Sequence, residues 1–185
     1  MTEDEARDIV RQVAEQDDDF RAYIAGRRLT TAGYGASTFA FFAGPDHVVR
    51  VTDSEHFDCD VINDLYDQNR GANAGWPSIF HVVNVDDNLC VAVVERVKTY
   101  SKGMTPDQRF RLSSVVNRVA DVFDFGAPEP DGAMWDDQQW EWYAELMQGL
   151  TFISDDREDG DHLDATEGNV GLTKSGRAVW IDFGI

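Results

Sequence analysis

Three side chains near the end of the chain, Asp164, Asn169 and Asp182, have types and spacing that suit phosphoryl transfer. Asp164 is a candidate base that could orient an attacking hydroxyl and accept its proton. Asn169 follows five residues later and can reach a metal ion from the end of the same loop. Asp182 comes directly after the apolar run Ala178–Ile181, which reads as a strand able to hold the carboxylate rigidly. Hard oxygen donors of this kind suit Mg2+ or Mn2+, which makes Asn169 and Asp182 the candidate metal ligands. The plainer alternative is that Asp164 and Asn169 cap a turn and Asp182 caps a strand end. His162 reads as a structural ligand of the loop rather than a proton shuttle.

Phosphoryl transfer also needs a cradle for the phosphates and a cation on them. The run Gly33-Tyr34-Gly35-Ala36-Ser37 offers the cradle. Without side chains at Gly33 and Gly35, backbone N–H groups can approach phosphate, with Ala36 and Ser37 completing the loop. Arg50, in Val48-Val49-Arg50-Val51, offers the cation. A solvent-facing arginine on an alternating strand is the other reading of that residue.

The elements that must position these groups are legible in outline. Residues 1–25 read as one or two amphipathic helices, with Ile9, Val10 and Val13 on one face and Thr2 and Glu5 as a capping box. Asp17-Asp18-Asp19 reads as a solvated junction. From residue 29 to 52 the pattern is strand, glycine turn, strand (Thr38–Phe42), tight turn (Gly44-Pro45-Asp46), strand (His47–Val51). Residues 54–69 predict a helix with Phe57, Val61, Ile62 and Leu65 on one face, ended by Gly71 and Gly75-Trp76-Pro77. Strands follow at Ile79–Val85 and Leu89–Val94, then helices over 105–124 and 136–153 separated by a Gly/Pro-rich stretch. Asp155–Asp161 reads as an exposed charged loop, and Val170–Ile181 as a hairpin turning at Thr173–Gly176. Cys90 is expected in the core, and Trp140 and Trp142 read as packing groups of a helix rather than a base-stacking platform.

Composition narrows the classes. The 185 residues carry a formal net charge of -19, from 35 acidic and 16 basic side chains. That argues against direct nucleic-acid binding, which needs clustered Lys and Arg, and it suits a partner with a basic surface. Two cysteines predict no disulfide framework and a reducing, cytoplasmic setting. The polar, acidic start predicts no secretory leader, and no apolar run is long enough for a membrane span.

Together, H-x-D-x-x-x-x-N (His162, Asp164, Asn169), a hairpin, Asp182-Phe183-Gly184, the glycine segment and Arg50 resemble the protein-kinase-like superfamily over about residues 29–185. The chain is most similar there to the compact early-gene serine/threonine kinases of short-tailed lytic bacteriophages. Those kinases place a V-x-K/R strand, a short helix and a D-x-x-x-x-G-N-[IV] loop before a metal-binding Asp. The resemblance implies an α+β, two-lobed minimal kinase-like fold. Residues 1–28 would be a helical extension, 29–95 an antiparallel N-lobe and 96–185 a truncated helical C-lobe. It implies ATP with Mg2+ or Mn2+ as cofactors, Asp164, Asn169 and Asp182 as catalytic residues, and Gly33, Gly35, Ala36 and Ser37 over the nucleotide. Arg50 would hold the α- and β-phosphates, where relatives usually carry Lys. Asp58 is favoured as its carboxylate partner, with Glu55, Asp60 and Asp64 left open, and Glu95 and Val97 fall in the hinge.

The implied activity is a phage-encoded serine/threonine protein kinase acting on host proteins in the host cytoplasm, with a homodimer left open. No activation segment follows the D-F-G run, so switching by loop phosphorylation is not expected. Two alternatives stand beside it. One is a weak or inactive kinase-like acidic protein that binds and inhibits a host nucleic-acid-binding protein. The other is a small-molecule phosphotransferase, because G-N-V and I-D-F-G also resemble aminoglycoside and choline phosphotransferases.

Overall fold

In the computed structural model, residues 3–14, 31–34, 38–53, 58–67, 75–84, 89–131, 133–151 and 165–181 are described. The chain is an α+β protein of two compact units: Met1–Gly71 with Ser78–Arg96, and Ala72–Pro77 with Val97–Ile185.

The first unit is built on a five-stranded antiparallel sheet. Its strands are β1 (Thr31–Tyr34), β2 (Thr38–Phe42), β3 (His47–Asp53), β4 (Ile79–Asn84) and β5 (Leu89–Glu95), in the order β1-β2-β3-β5-β4. Two helices accompany them, α1 (Glu3–Ala14) and α2 (Asp58–Asp67). The expected order of three strands, a helix and two strands is observed. The predicted helix over 54–69 is seen over Asp58–Asp67.

Strand alternation sorts the side chains to two faces. One face carries Phe41, Val49, Val51, Val91 and Val93, which form a buried cluster closed by Val10 of α1. The first helix is therefore part of this unit's core. Sequence alone set it apart as an extension, because a helix's partners are not written in its own residues. The other face carries Thr38, Ala40, Arg50, Thr52, Cys90 and Ala92, aligned by the cross-strand pairs Thr38↔Thr52, Ala40↔Arg50, Arg50↔Ala92 and Thr52↔Cys90. Val61, Ile62 and Leu65 of α2 are buried. Asn63 of α2 and Asn84 of β4 exchange amide hydrogen bonds at 3.0 and 3.2 Å.

The second unit pairs α3 (Pro106–Phe125) and α4 (Asp137–Leu150) with a small antiparallel sheet, β6 (Lys98–Thr99), β7 (Val170–Leu172) and β8 (Ala178–Trp180), in the order β6-β7-β8. Thr105 and Gln108 form a capping box that starts α3, with Pro106 in its first turn and Gly126 closing its end in the left-handed region (φ 62°). Asp136 caps α4 and also pairs with Arg111 of α3, tying the two helix starts together. The carboxylate is held below its usual range by the Gln139 N–H first and Arg111 second. Leu112, Val115, Val116 and Val119 of α3 are buried, as are Trp142, Leu146 and Leu150 of α4.

Candidate active site

In the second unit, Asn169 ends a single 3-10 turn, Glu167–Asn169, whose last N–H donates to Thr166 O at 3.0 Å. Strand β7 begins at the next residue. Strand β8 returns antiparallel with Val170 opposite Trp180, and the Ile181 N–H then donates to Asn169 O at 2.8 Å. The expected hairpin is thus observed, and it bonds Asn169 to the residue immediately before Asp182. Asp164 and Asp182 themselves lie outside the described residues, as do His162, Phe183 and the charged loop. Among the described residues no group of three or more His, Cys, Asp or Glu side chains could hold a metal.

The hairpin is pinned to α4 by hydrogen bonds whose pairing the sequence does not show. Trp142 Nε1 donates to Gly176 O at 2.8 Å, and Trp180 Nε1 to Leu146 O at 3.0 Å. The Ala178 N–H donates to Glu145 Oε2 at 2.7 Å. Burial raises the Glu145 carboxyl above its usual range, with the Ala178 N–H and Arg177 acting in the opposite direction.

A segment from earlier in the chain completes the support. Gly75 O accepts from the Trp180 N–H at 2.8 Å, while Trp76, buried, donates to Gly149 O at 3.2 Å. A Cβ on Gly75 would meet Glu145 O at 2.2 Å, and its φ is 72°. Glycine is therefore required there on both counts. The run Gly75-Trp76-Pro77, which reads in sequence as a helix breaker, is also an anchor for β8. Gly171 is also closely approached, here by side chains: a Cβ would lie 2.6 Å from Val97 Cγ2 and 3.2 Å from Ile181 Cγ2. Val97, expected in the hinge, thus packs over β7 beside Ile181. The tandem Gly168-Asn169-Val170-Gly171 was the available signal for that closeness.

In the first unit, Gly33 lies in β1 opposite Ala40, next to an irregularity between Thr31 and Gly33. Gly35, Ala36 and Ser37 lie outside the described residues. Arg50 is 8% exposed, so the solvent-facing reading is corrected. The small side chains Ala40 and Ala92 flank it on the neighbouring strands. Its head group reaches along the strands, where Nε donates to Thr52 Oγ1 at 3.2 Å and a terminal nitrogen to Thr38 Oγ1 at 3.3 Å. Thr38 is the first described residue after the glycine segment in the sequence, and its hydroxyl is one of the two partners of the Arg50 head group.

Other expected residues fall as follows. Asp58 starts α2, its side chain outside the described set, while Asp60 and Asp64 are exposed. Glu95 accepts from Ser78 N–H at 3.3 Å and from Ser78 Oγ at 3.1 Å, so its carboxylate also fastens β5 to the start of β4. Cys90 is buried as expected. Its thiol is pushed above the usual range by the hydrogen bond with Cys59 first and burial second. Trp142 is buried at 1% exposure, and Trp140 packs edge-on against Trp135 and Tyr143, as packing groups would.

No family model matches the sequence, and no curated protein matches it. Solved structures similar to the chain include aminoglycoside-3'-phosphotransferase of type VIII, at 17% identity and a TM-score of 0.41, covering 91% of this chain and 76% of that one. Another is aminoglycoside phosphotransferase APH(4)-Ia, at 16% identity and a TM-score of 0.38, covering 89% and 70%. A thermostable mutant of the latter, in ternary complex with AMP-PNP and hygromycin B, gives 17% identity and a TM-score of 0.38, with the same coverage of 89% and 70%. No described helix is long and apolar enough to cross a membrane.

Proposed function

We propose that the chain is an ATP-dependent phosphotransferase of the kinase-like type. The observation that carries this reading is the Ile181 N–H to Asn169 O hydrogen bond of 2.8 Å, which joins the two stretches bearing the candidate metal ligands. Asn169 and Asp182 offer an amide oxygen and a carboxylate, a donor set that fits a hard divalent cation such as Mg2+ or Mn2+. When bound, that cation would neutralise charge developing on the transferred phosphoryl group. Asp164 orients the acceptor hydroxyl and takes its proton. Arg50 and the Gly33–Ser37 segment hold the remaining phosphate charge.

The acceptor in this proposal is a serine or threonine hydroxyl on a host protein, the chain being a phage kinase that works in the host cytoplasm. The net charge of -19 suits a target with a basic surface. A small-molecule hydroxyl is the second reading, favoured by Gly168-Asn169-Val170 and Ile181-Asp182-Phe183-Gly184.

The test is incubation with radiolabelled ATP and Mg2+ or Mn2+, with a bacterial lysate and separately with aminoglycosides and choline. Label on protein or on a small molecule assigns the acceptor. Asp164→Ala and Asp182→Ala are each expected to reduce transfer by about 10²-fold or more. No transfer to either class, together with no nucleotide-induced thermal shift, rejects the proposal and leaves the non-catalytic acidic binder.

A further inference from the structure

We infer that Thr38 and Thr52 are positioning residues that let an arginine serve at position 50 as the cation on a nucleotide's phosphates. The inference rests on the phosphotransferase reading above and concerns how that reading is met by an unusual residue. A lysine ammonium is a compact charge on a flexible stem, whereas a guanidinium is a longer planar fork whose orientation decides which N–H groups meet an anion. Arg50 is given an orientation by two hydroxyls on different strands. Thr52 Oγ1, on its own strand, accepts from Nε at 3.2 Å, and Thr38 Oγ1, on β2, accepts from a terminal nitrogen at 3.3 Å.

Two bonds to separate atoms of a planar group fix both its direction and its rotation. The register makes this possible: Thr38 and Thr52 are directly paired, and Thr52 stands two residues from Arg50 on the same face. Ala40 and Ala92, the residues opposite Arg50, carry only a methyl each and leave the long side chain room over the sheet. Both hydroxyls are shielded from water, with Thr38 at 8% and Thr52 at 0% exposure. A hydrogen bond to a cation in such surroundings is stronger than at the surface.

The experiment measures the affinity for the ATP analogue AMP-PNP with Mg2+, and the KM for ATP, in Thr38→Val, Thr52→Val, Thr38→Ser, Thr52→Ser and Arg50→Ala proteins. Valine keeps the branched shape and strand preference while removing the hydroxyl. Each valine variant is expected to weaken nucleotide binding by about three- to tenfold, raising the KM for ATP while the acceptor KM holds. Serine at either position restores most of the loss. In the Arg50→Ala background the valine changes add nothing further, which separates positioning from general support of the sheet.

Valine variants that bind as the wild type does, or that weaken binding equally with and without Arg50, overturn this inference while the parent reading stands. A wild-type protein that binds no nucleotide overturns the parent reading, and this inference with it.

Discussion

At the scale of single residues, burial converts ordinary side chains into constrained ones. Arg50 is 8% exposed and its head group is oriented by two threonine hydroxyls. Glu145 shows the same principle through its acidity. Its folded carboxyl is raised from the ordinary 4.5 chiefly by burial. A carboxyl raised in the folded state binds its proton more tightly there than in the unfolded chain. Its contribution to stability is therefore fully present below the unfolded value and is lost as pH rises through the raised folded value. Glu145→Gln keeps an oxygen to accept the Ala178 N–H and removes the titration. The variant is expected to lose less stability than the wild type as pH rises from about 4.5 to neutrality, measured by denaturant melts across that range. Identical pH profiles would show that ionised Glu145 carries no penalty. The charged motif residues could be singled out as candidates because chemistry constrains their types; Glu145 could not, because nothing local marks one glutamate of a helix as half-buried.

At the scale of elements, the β7–β8 hairpin owes its rigidity to its neighbours. Three residues of pairing could not hold it alone, since an isolated two-stranded hairpin is marginal in water. Two indole N–H groups, Trp142 and Trp180, link hairpin and α4, and Gly75 caps the outer strand. Gly75→Ala should therefore be severe. It sets a Cβ 2.2 Å from a backbone oxygen in a left-handed conformation, for a loss of about 2–4 kcal/mol, read by urea denaturation. A loss under about 0.5 kcal/mol would mean that this contact can relax freely. The hairpin and both long helices were legible, because turn residues, caps and periodicity are local signals. The anchoring role of Gly75-Trp76-Pro77 was not, because its partners Trp180, Glu145 and Gly149 lie far along the chain.

At the scale of the whole molecule, the net charge of -19 dominates. Self-repulsion of this size destabilises the compact state at low ionic strength and is screened within about 8–10 Å at physiological salt. The melting temperature should rise between about 0.02 and about 0.5 M NaCl, and binding to a basic protein target of the kind proposed would weaken over the same range. A melting temperature that falls or holds constant would show that the acidic groups are already compensated in the fold.

The sequence by itself determined which residue types could be candidates for chemistry and the α+β order of elements. Residue types, glycine turns and hydrophobic periods act over a few neighbours, and so they survive being read in one dimension. Tertiary structure decided which of these groups are constrained. It placed Arg50 in a buried threonine ladder instead of in solvent, turned α1 into a wall of the first core through Val10, and bonded Asn169 to the residue before Asp182. Those outcomes depend on strand register and on contacts between distant segments, which are fixed only when burial and hydrogen bonding are satisfied across the fold at once.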